Sequence, residues 1–296
     1  MKLLRFATKG WLVVSIVLVV GCSGGGPSVS TPTLTAGDTS STASDTSSLD
    51  QAVIDDRMID VGGHTLHVVC QGTGSPTVLV EMGAGQSVST WSAIQPTLAD
   101  SYRTCVYERA GSGVSEPGPL PRTAQRVADE LQTVIDRAPI PTPLVLLSHS
   151  LGAMYAQLFA AQHPTEVAGM VFIEPRTAEF QLGYRDHLTP EELKADEIDL
   201  AAARLENFWP EIEASDESAA QVKQAGPLPA VPVIVLTAGG VPGQSEADSF
   251  WRTTHSNLAA QVPNGRQQII DDADHELFRT HQQTVLDAVA SVAAQR

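Results

Sequence analysis

The sequence predicts an α/β domain in which a mostly parallel sheet of eight strands is covered by helices on both faces. Three observations support this fold class. From Arg57 onward, short apolar segments alternate with segments of helical periodicity. The central apolar segments are continuous runs, which is typical of strands buried on both faces of a parallel sheet. A chain of 296 residues is also long enough to build one sizeable core.

The strands are assigned to these apolar runs and to segments bounded by turn residues. The adjacent glycines Gly62 and Gly63 predict a hairpin between the first two strands. The predicted strands cover residues 57–60, 64–71, 77–82, 103–108, 144–148, 169–174, 231–238 and 266–270.

Helices are predicted between the strands, and one of them shows apolar residues at helical spacing from Val127 to Ile135. The main predicted helices cover residues 91–99, 123–138, 151–163 and 282–294. Residues 176–228 interrupt the alternation. They are rich in Glu, Asp and Ala and contain a helix start at Thr189. We expect this segment to be a small helical cap inserted after the sixth strand.

The first residues predict an export signal. Three basic residues precede an apolar run over residues 11–20, which is too short to span a bilayer comfortably. The run is followed by Cys22 in a context that resembles a bacterial lipobox. We therefore expect residues 1–21 to be a lipoprotein signal peptide and Cys22 to carry the lipid. An ordinary signal peptide with an accidental cysteine is the alternative.

The segment after the lipidation site predicts a spacer. Residues 22–50 are dominated by Ser, Thr, Gly, Pro and Asp, and they have too little apolar surface to fold. The globular domain then covers residues 51–296. We expect the domain to be anchored in the bacterial cell envelope, on the periplasmic or extracellular face of a membrane.

The composition limits the classes of partner. A formal net charge of −16 disfavours binding to nucleic acids. The sequence contains no Cys/His cluster with metal-ligand spacing, and Gly111–Gly113 lacks a phosphate-binding pattern. We therefore expect no metal and no organic cofactor, and a monomer that acts on a small molecule.

Residues 148–152, with the sequence Ser-His-Ser-Leu-Gly, predict a nucleophile on a sharp turn. Ser150 stands between a predicted strand and a predicted helix, where a strained turn exposes the hydroxyl. Ser148 and Gly152 are small enough to relieve crowding on either side. An ordinary strand-to-helix turn is the alternative interpretation.

A serine hydroxyl is a weak nucleophile without a base. Of the eight histidines, His275 lies in the loop beyond the last predicted strand, whereas His281 directly adjoins the final predicted helix. His149 adjoins Ser150, but we expect its side chain to turn away. His275 is therefore the predicted base, with a surface-loop histidine as the alternative.

The third member of such a site is a carboxylate that orients the imidazole. Glu174 directly follows the sixth predicted strand, at the edge of the sheet where sites in open α/β folds are built. Asp248 is the competing acid, ten residues past the end of the seventh predicted strand. Glu174 is the preferred assignment, and Asp248 stays open.

The reaction that such residues support passes through an oxyanion, which needs backbone N–H donors. The residue after the nucleophile, Leu151, predicts one donor. The glycine-containing turn after the third strand predicts the other, which we assign to Ala84. These glycines would also be needed for a tight turn with no such role.

Several segments resemble the α/β-hydrolase superfamily, in the branch that contains esterases and epoxide-hydrolase-like proteins. The resemblance covers about residues 57–294. The most specific segment runs from Tyr107 through Arg109 to Ser115 and is similar to the family pattern Y-D-R-x-G-x-G-x-S. The other matching segments are Met82-Gly83-Ala84 with Trp91 downstream, the Ser150 turn, residues 171–174 and Asp274-His275.

Three positions depart from the family pattern. Ser148 replaces a glycine, Met82 replaces a histidine, and Glu174 stands where Asp is commoner. Epoxide hydrolases and haloalkane dehalogenases of this fold use an Asp nucleophile, and Ser150 argues against both activities. The resemblance implies a serine hydrolase, like a carboxylesterase, that cleaves an ester or related acyl bond through an acyl-enzyme.

Two other functions stay open at this point. The first is an iminopeptidase-like or amidase-like hydrolase, because the predicted cap is acidic and could bind a cationic N-terminus. Between Glu179 and Glu217 there are twelve acidic and three basic residues. The second is a catalytically silent lipoprotein that binds an envelope component.

Cys70 and Cys105 are the two cysteines left after Cys22. In the fold that the resemblance implies, the second strand pairs with the fourth, which brings these cysteines together. An exported domain meets an oxidising environment. We therefore expect a disulfide between them, with two buried free thiols as the alternative.

Overall fold

The computed structural model describes residues 53–239 and 245–295, so the predicted signal peptide, Cys22 and the tether lie outside the described residues. Eight strands form one sheet in the order β1-β2-β4-β3-β5-β6-β7-β8. Strand β2 is antiparallel to both of its neighbours, and all other pairs are parallel. The strands are β1 (Val53–Asp60), β2 (Thr65–Gln71), β3 (Thr77–Glu81), β4 (Arg103–Tyr107), β5 (Leu144–His149), β6 (Val167–Ile173), β7 (Val233–Ala238) and β8 (Arg266–Ile270).

The central strands are buried along their whole length, as their continuous apolar sequences predict. Every residue of β3, β5 and β6 is buried. Gly62 and Gly63, with φ of 103° and 107°, make the hairpin between β1 and β2. The predicted mostly parallel eight-stranded sheet with flanking helices is confirmed.

Helices cover both faces of the sheet. They are α1 (Val88–Trp91), α2 (Gln95–Ala99), α3 (Ala124–Arg137), α4 (Gly152–Gln162), α5 (Ala178–Gly183), α6 (Pro190–Ala203), α7 (Trp209–Glu213), α8 (Ser215–Ala225), α9 (Glu246–Ala259), α10 (Leu277–Thr280) and α11 (Gln282–Ala293). None of the helices in the described ranges has the length and hydropathy that a membrane crossing needs.

The single helix predicted over residues 91–99 is wrong. The structure has two short helices, α1 and α2, in this part of the chain. Pro96 lies in the first turn of α2. Proline donates no hydrogen bond and its ring clashes with the preceding turn, so a helix can hold Pro96 in its first turn but not in its interior.

Between β6 and β7 the chain forms α5, α6, α7, α8 and a 3-10 turn at Tyr184–His187. These elements lie in the segment for which a cap is predicted. Helix α8 packs on α3, α4 and α5. Phe208, just before α7, lies against Gly85, where a Cβ would be 2.7 Å from the Phe208 ring. The inserted helices therefore reach the turn that follows β3.

The two halves of the core lie on opposite faces of the sheet. One contains buried apolar residues of α3, α4 and α8, and the other contains those of α1, α2, α10 and α11. In the second half, Trp91 stacks on Phe278 with ring centroids 4.4 Å apart.

Cys70 and Cys105 form a disulfide. Their Cα atoms are direct partners in the antiparallel pairing of β2 with β4, and both residues are fully buried. The pairing that the fold implies is therefore present in the structure.

Candidate active site

Ser150 lies on the turn between β5 and α4, where its backbone has a φ of 51°. Its N–H donates to the carbonyl of Ile173 at 3.1 Å, which ties the turn to the neighbouring strand. A Cβ on Gly152 would lie 2.4 Å from the Met82 carbonyl oxygen. Glycine is therefore required there, and the left-handed turn projects a partly exposed Ser150 hydroxyl beyond the sheet edge.

His275 lies in the loop after β8 and contacts both residues predicted to act with it. Its Nε2 is 3.0 Å from Ser150 Oγ. Its Nδ1 is 3.3 Å from Glu174 Oε2. In the neutral tautomer that donates from Nδ1 to the carboxylate, Nε2 is free to accept the hydroxyl proton of Ser150.

Glu174 directly follows β6 and is buried. Besides His275, its carboxylate accepts the Ala238 N–H at 2.7 Å and the Trp251 indole N–H at 3.2 Å. Burial alone would raise the pKa of Glu174. The hydrogen bond with His275, the nearby His255 and the Ala238 N–H outweigh burial and lower the pKa below its ordinary value. Glu174 is therefore a buried carboxylate that stays ionised.

The competing acid, Asp248, lies in the first turn of α9. Its carboxylate accepts the backbone N–H of Ser245 at 2.9 Å, and the Ser245 side chain accepts from Asp248 in return. This reciprocal arrangement is a capping box. Within the described residues, no hydrogen bond joins Asp248 to His275, so the structure brings Glu174 to the imidazole and not Asp248.

The two predicted oxyanion donors lie on turns that touch each other, because Gly152 is packed against the Met82 carbonyl. The neighbouring N–H of Gly83 is occupied, since it donates to Gln86 Oε1 at 2.8 Å. Within the described part of the chain, neither the Ala84 N–H nor the Leu151 N–H has an acceptor. Both donors are therefore free for a ligand.

The side chain of His149 bonds to two other loops, and no hydrogen bond among the described residues joins it to Ser150. Its Nε2 is 2.9 Å from the backbone carbonyl of His275, and its Nδ1 is 3.0 Å from Gln86 Nε2. Because a carbonyl only accepts, Nε2 carries the proton and Nδ1 accepts from the Gln86 amide. Burial holds the pKa of His149 well below its ordinary value. A neutral His149 thus links the His275 loop to the turn after β3.

His255 is a second buried histidine that sequence reasoning missed. Its Nε2 is 2.8 Å from the Pro175 carbonyl, and its Nδ1 is 2.9 Å from Thr237 Oγ1. Burial lowers its pKa to about 4. The residue supports the turn that carries Glu174. Its helical context carried no signal of this role, because α9 reaches that turn only through the fold.

No group of three His, Cys, Asp or Glu side chains within residues 53–239 and 245–295 is placed to hold a metal ion. The chemistry that this arrangement of serine, imidazole, carboxylate and free N–H donors can perform is nucleophilic attack by Ser150 with general acid–base help from His275.

Comparison with known proteins finds chains that are similar to this one. A family model described as "alpha/beta hydrolase fold" matches residues 76–220. The uncharacterized protein YqjL of Bacillus subtilis is 28% identical over 222 residues, which are 72% of this chain and 83% of that protein. The 2-(acetamidomethylene)succinate hydrolase of Mesorhizobium japonicum is 26% identical over 71% of this chain and 69% of its own length.

Among solved structures, the enol-lactonase of Burkholderia xenovorans superposes with a TM-score of 0.60 at 17% sequence identity. The match covers 80% of this chain and 99% of that chain. At this identity the likeness is one of fold alone. Six further relatives match over only 15% to 37% of their own length, so the activities of those whole proteins do not carry over.

Proposed function

We propose that this chain, which has the α/β-hydrolase fold, is a serine hydrolase that cleaves an ester or related acyl bond. One observation carries the proposal. His275 lies within hydrogen-bond reach of Ser150 Oγ on one side, at 3.0 Å, and of a buried carboxylate on the other, at 3.3 Å. Nucleophile, base and orienting acid in this order form the arrangement that activates a serine.

The first half-reaction forms an acyl-enzyme. Ser150 Oγ attacks the carbonyl carbon while His275 Nε2 takes the hydroxyl proton. The resulting oxyanion accepts hydrogen bonds from the N–H groups of Ala84 and Leu151, the two free donors at this edge of the sheet. His275 then gives its proton to the leaving group, and the carbonyl re-forms on Ser150.

The second half-reaction releases the acid. His275 takes a proton from water, which attacks the acyl carbon, and the same N–H donors hold the second oxyanion. The intermediate then collapses, the bond from the acyl carbon to Ser150 Oγ breaks, and His275 returns the proton to Ser150 Oγ as the acid leaves. Throughout, Glu174 remains ionised because its hydrogen bonds lower its pKa. It stabilises the imidazolium that forms in each step and fixes the tautomer of His275.

The substrate class is supported by two of the similar proteins. The enol-lactonase acts, by its name, on a lactone, which is a cyclic ester. The substrate named for the 2-(acetamidomethylene)succinate hydrolase contains an amide group. We assign a small-molecule ester to this chain and keep an amide as the second candidate.

We further propose that the enzyme works as a lipid-anchored monomer in the bacterial cell envelope. The lipobox-like context of Cys22 and the polar segment over residues 23–50 support this location. The anchor would hold the domain on the periplasmic or extracellular face of the membrane.

A direct test uses the soluble domain over residues 51–296. Wild type should react with a fluorophosphonate probe and hydrolyse p-nitrophenyl esters, and the Ser150→Ala variant should do neither. An aminoacyl nitroanilide assayed in parallel separates an esterase from an amidase or iminopeptidase. Wild-type protein that neither reacts with the probe nor hydrolyses any ester or anilide would contradict the proposal and favour a silent binding protein.

A further inference from the structure

Arg109 is a buried arginine whose guanidinium group lies behind the turn that follows β3. It is 1% exposed, and its residue lies just beyond the end of β4. Each of its five N–H donors has an acceptor. These acceptors are Glu81 Oε1 and the Met82 carbonyl for Nη1, the Gly83 carbonyl and Glu211 Oε2 for Nη2, and Glu211 Oε1 for Nε.

The bond to the Gly83 carbonyl matters because of the peptide to which that oxygen belongs. The carbonyl of Gly83 and the N–H of Ala84 are part of one trans peptide plane, in which the two bonds point in opposite directions. The buried Arg109 Nη2 donates to this carbonyl oxygen at a distance of 3.0 Å. The N–H of Ala84 is therefore turned to the other side of the plane, away from the guanidinium.

The preceding peptide of the same turn, Met82–Gly83, is also held at both of its polar groups. Arg109 Nη1 donates to the Met82 carbonyl at 2.5 Å, and Gln86 Oε1 accepts the Gly83 N–H at 2.8 Å. The peptide that carries the Ala84 donor is thus held at its own carbonyl and through the peptide that precedes it. A cationic donor on its carbonyl also polarises the peptide and makes its N–H a stronger donor.

Glu211 connects this arrangement to the helices between β6 and β7. It lies in α7 and is 2% exposed. Its carboxylate accepts two hydrogen bonds of 2.7 Å from Arg109. The guanidinium keeps its orientation only while α7 is docked. Lysine could not replace this arrangement, because an ammonium group cannot present the fixed fork that reaches two carbonyls and two carboxylates at once.

We infer that Arg109 is a positioning residue of the oxyanion hole. It acts through the Gly83–Ala84 peptide, and Glu211 of α7 completes the positioning, so that the inserted helices and the oxyanion donor are coupled. The inference rests on the proposed serine hydrolase function. Arg109 would then determine the rate of acyl transfer. A misdirected N–H donor reduces stabilisation of the transition state more than it reduces substrate binding.

The test compares Arg109→Lys with Arg122→Lys in the soluble domain. Arg122 is the matched control because it too is buried and makes a two-bond ion pair, with Glu130, but it does not touch the turn after β3. Esterase kinetics give kcat and KM separately. We expect Arg109→Lys to lower kcat by roughly 10- to 100-fold with KM changed less than about twofold. Arg122→Lys should keep the wild-type kcat.

Near-ultraviolet circular dichroism shows whether each variant has folded. If Arg109→Lys does not fold, Glu211→Gln takes its place, because it weakens one side of the fork and leaves both carbonyl bonds available. It should lower kcat by roughly 3- to 10-fold at constant KM. A folded variant that keeps the wild-type kcat, or one in which only KM rises, overturns the positioning role. Wild type without Ser150-dependent hydrolysis overturns the proposed function itself and this inference with it.

Discussion

Ser150 and Glu174 occupy equivalent positions on neighbouring strands and share a left-handed backbone conformation. The preceding residues, His149 and Ile173, are register partners of β5 and β6. The φ angles of Ser150 and Glu174 are 51° and 45°. Left-handed backbone is costly for residues with a side chain. Two adjacent strands thus end in the same strained turn, and each turn directs one of the residues that meet at His275.

The acid assignment predicts that Glu174→Gln is far more damaging than Asp248→Asn. The Ala238 N–H would hold the glutamine oxygen, which leaves the amide NH2 facing the Trp251 N–H and His275 Nδ1. His275 would then have to accept at Nδ1 and could no longer accept the Ser150 proton at Nε2. We expect kcat/KM to fall by roughly 10³- to 10⁴-fold.

Asp248→Asn is the control, because it changes only the cap of α9. It should leave ester hydrolysis within about twofold of wild type. His275→Ala should be as inactive as Ser150→Ala, since the members of such a site act as a unit. A severe loss in Asp248→Asn together with an active Glu174→Gln would mean that the acid is wrongly assigned.

We predict that replacing Ser148 by alanine stabilises the protein. Its hydroxyl is buried and has no hydrogen-bond partner among the described residues. An unsatisfied buried polar group costs about 1–3 kcal/mol. Ser148→Ala should therefore raise the free energy of unfolding by about 1 kcal/mol in urea titrations and leave kcat unchanged.

The family glycine at this position would help less. Ser148→Gly also removes the hydroxyl, but glycine within a strand costs roughly 0.5–1 kcal/mol of backbone entropy. We expect it to be less stable than the alanine variant by about that amount. An alanine variant less stable than wild type would reveal a partner for the hydroxyl and refute the argument.

His255 predicts a loss of stability in acid. Its pKa is about 4 in the folded protein, against an ordinary value of 6.5 for an unburied histidine. Between these values the unfolded chain binds a proton that the folded chain does not, so stability falls as the pH drops from above 6.5 to 4. The full contribution is about 3 kcal/mol.

The measurement is the free energy of unfolding of wild type and His255→Gln across this pH range. Glutamine can donate to the Pro175 carbonyl but does not titrate. As the pH falls, the free energy of unfolding of wild type should decrease relative to that of His255→Gln. Above pH 7.5 the difference between the two free energies should be constant. Parallel curves would show that His255 is not the group responsible.

The candidate site residues that the sequence predicts follow from the chain's local order. Ser150, Glu174 and His275 each lie beyond the end of a predicted strand, and the carboxyl ends of parallel strands meet at one edge. The pairing of Cys70 with Cys105 needed only the identity of neighbouring strands. These features depend on which strands are adjacent. The alternation of strands and helices predicts the parallel sheet, and the family resemblance implies that the second strand pairs with the fourth.

The contacts that were missed depend on side-chain packing between distant segments. Arg109 and Glu211 are 102 residues apart, and nothing in either local sequence indicates that α7 meets the segment after β4. His149 adjoins the nucleophile, but its contacts with Gln86 and the His275 carbonyl come from other loops. Sequence periodicity reports which face of an element is buried but not which polar groups meet there.

The proposed anchor predicts that Cys22 is required for attachment to the membrane. In a bacterial host grown with an alkyne fatty acid, the full chain should be labelled and should sediment with membranes. Cys22→Ala should lose the label and leave an unprocessed precursor. The paired change Cys70→Ala/Cys105→Ala is the control and should keep the label. A labelled Cys22→Ala protein would exclude Cys22 as the site of lipid attachment.

The disulfide predicts a large loss of stability when both of its cysteines are replaced. It joins Cys70 to Cys105 across 35 residues of chain. Closing a loop of this length removes entropy from the unfolded state that is worth roughly 3–4 kcal/mol. Replacing both cysteines by alanine should lower the free energy of unfolding by about that amount. Both sites are buried, so the lost side-chain volume adds a small packing cost.

Reduction provides the matched control for this last prediction. Dithiothreitol should destabilise the wild-type soluble domain by a similar amount and leave the double alanine variant unchanged, since only the wild type has a bond to break. Thiol titration of the unfolded, unreduced domain, which lacks Cys22, gives an independent measurement. No reactive thiol is expected. Two reactive thiols, together with stability that does not respond to reductant, would mean that the cysteines are packed as free side chains and that the loop is held by β2–β4 pairing alone.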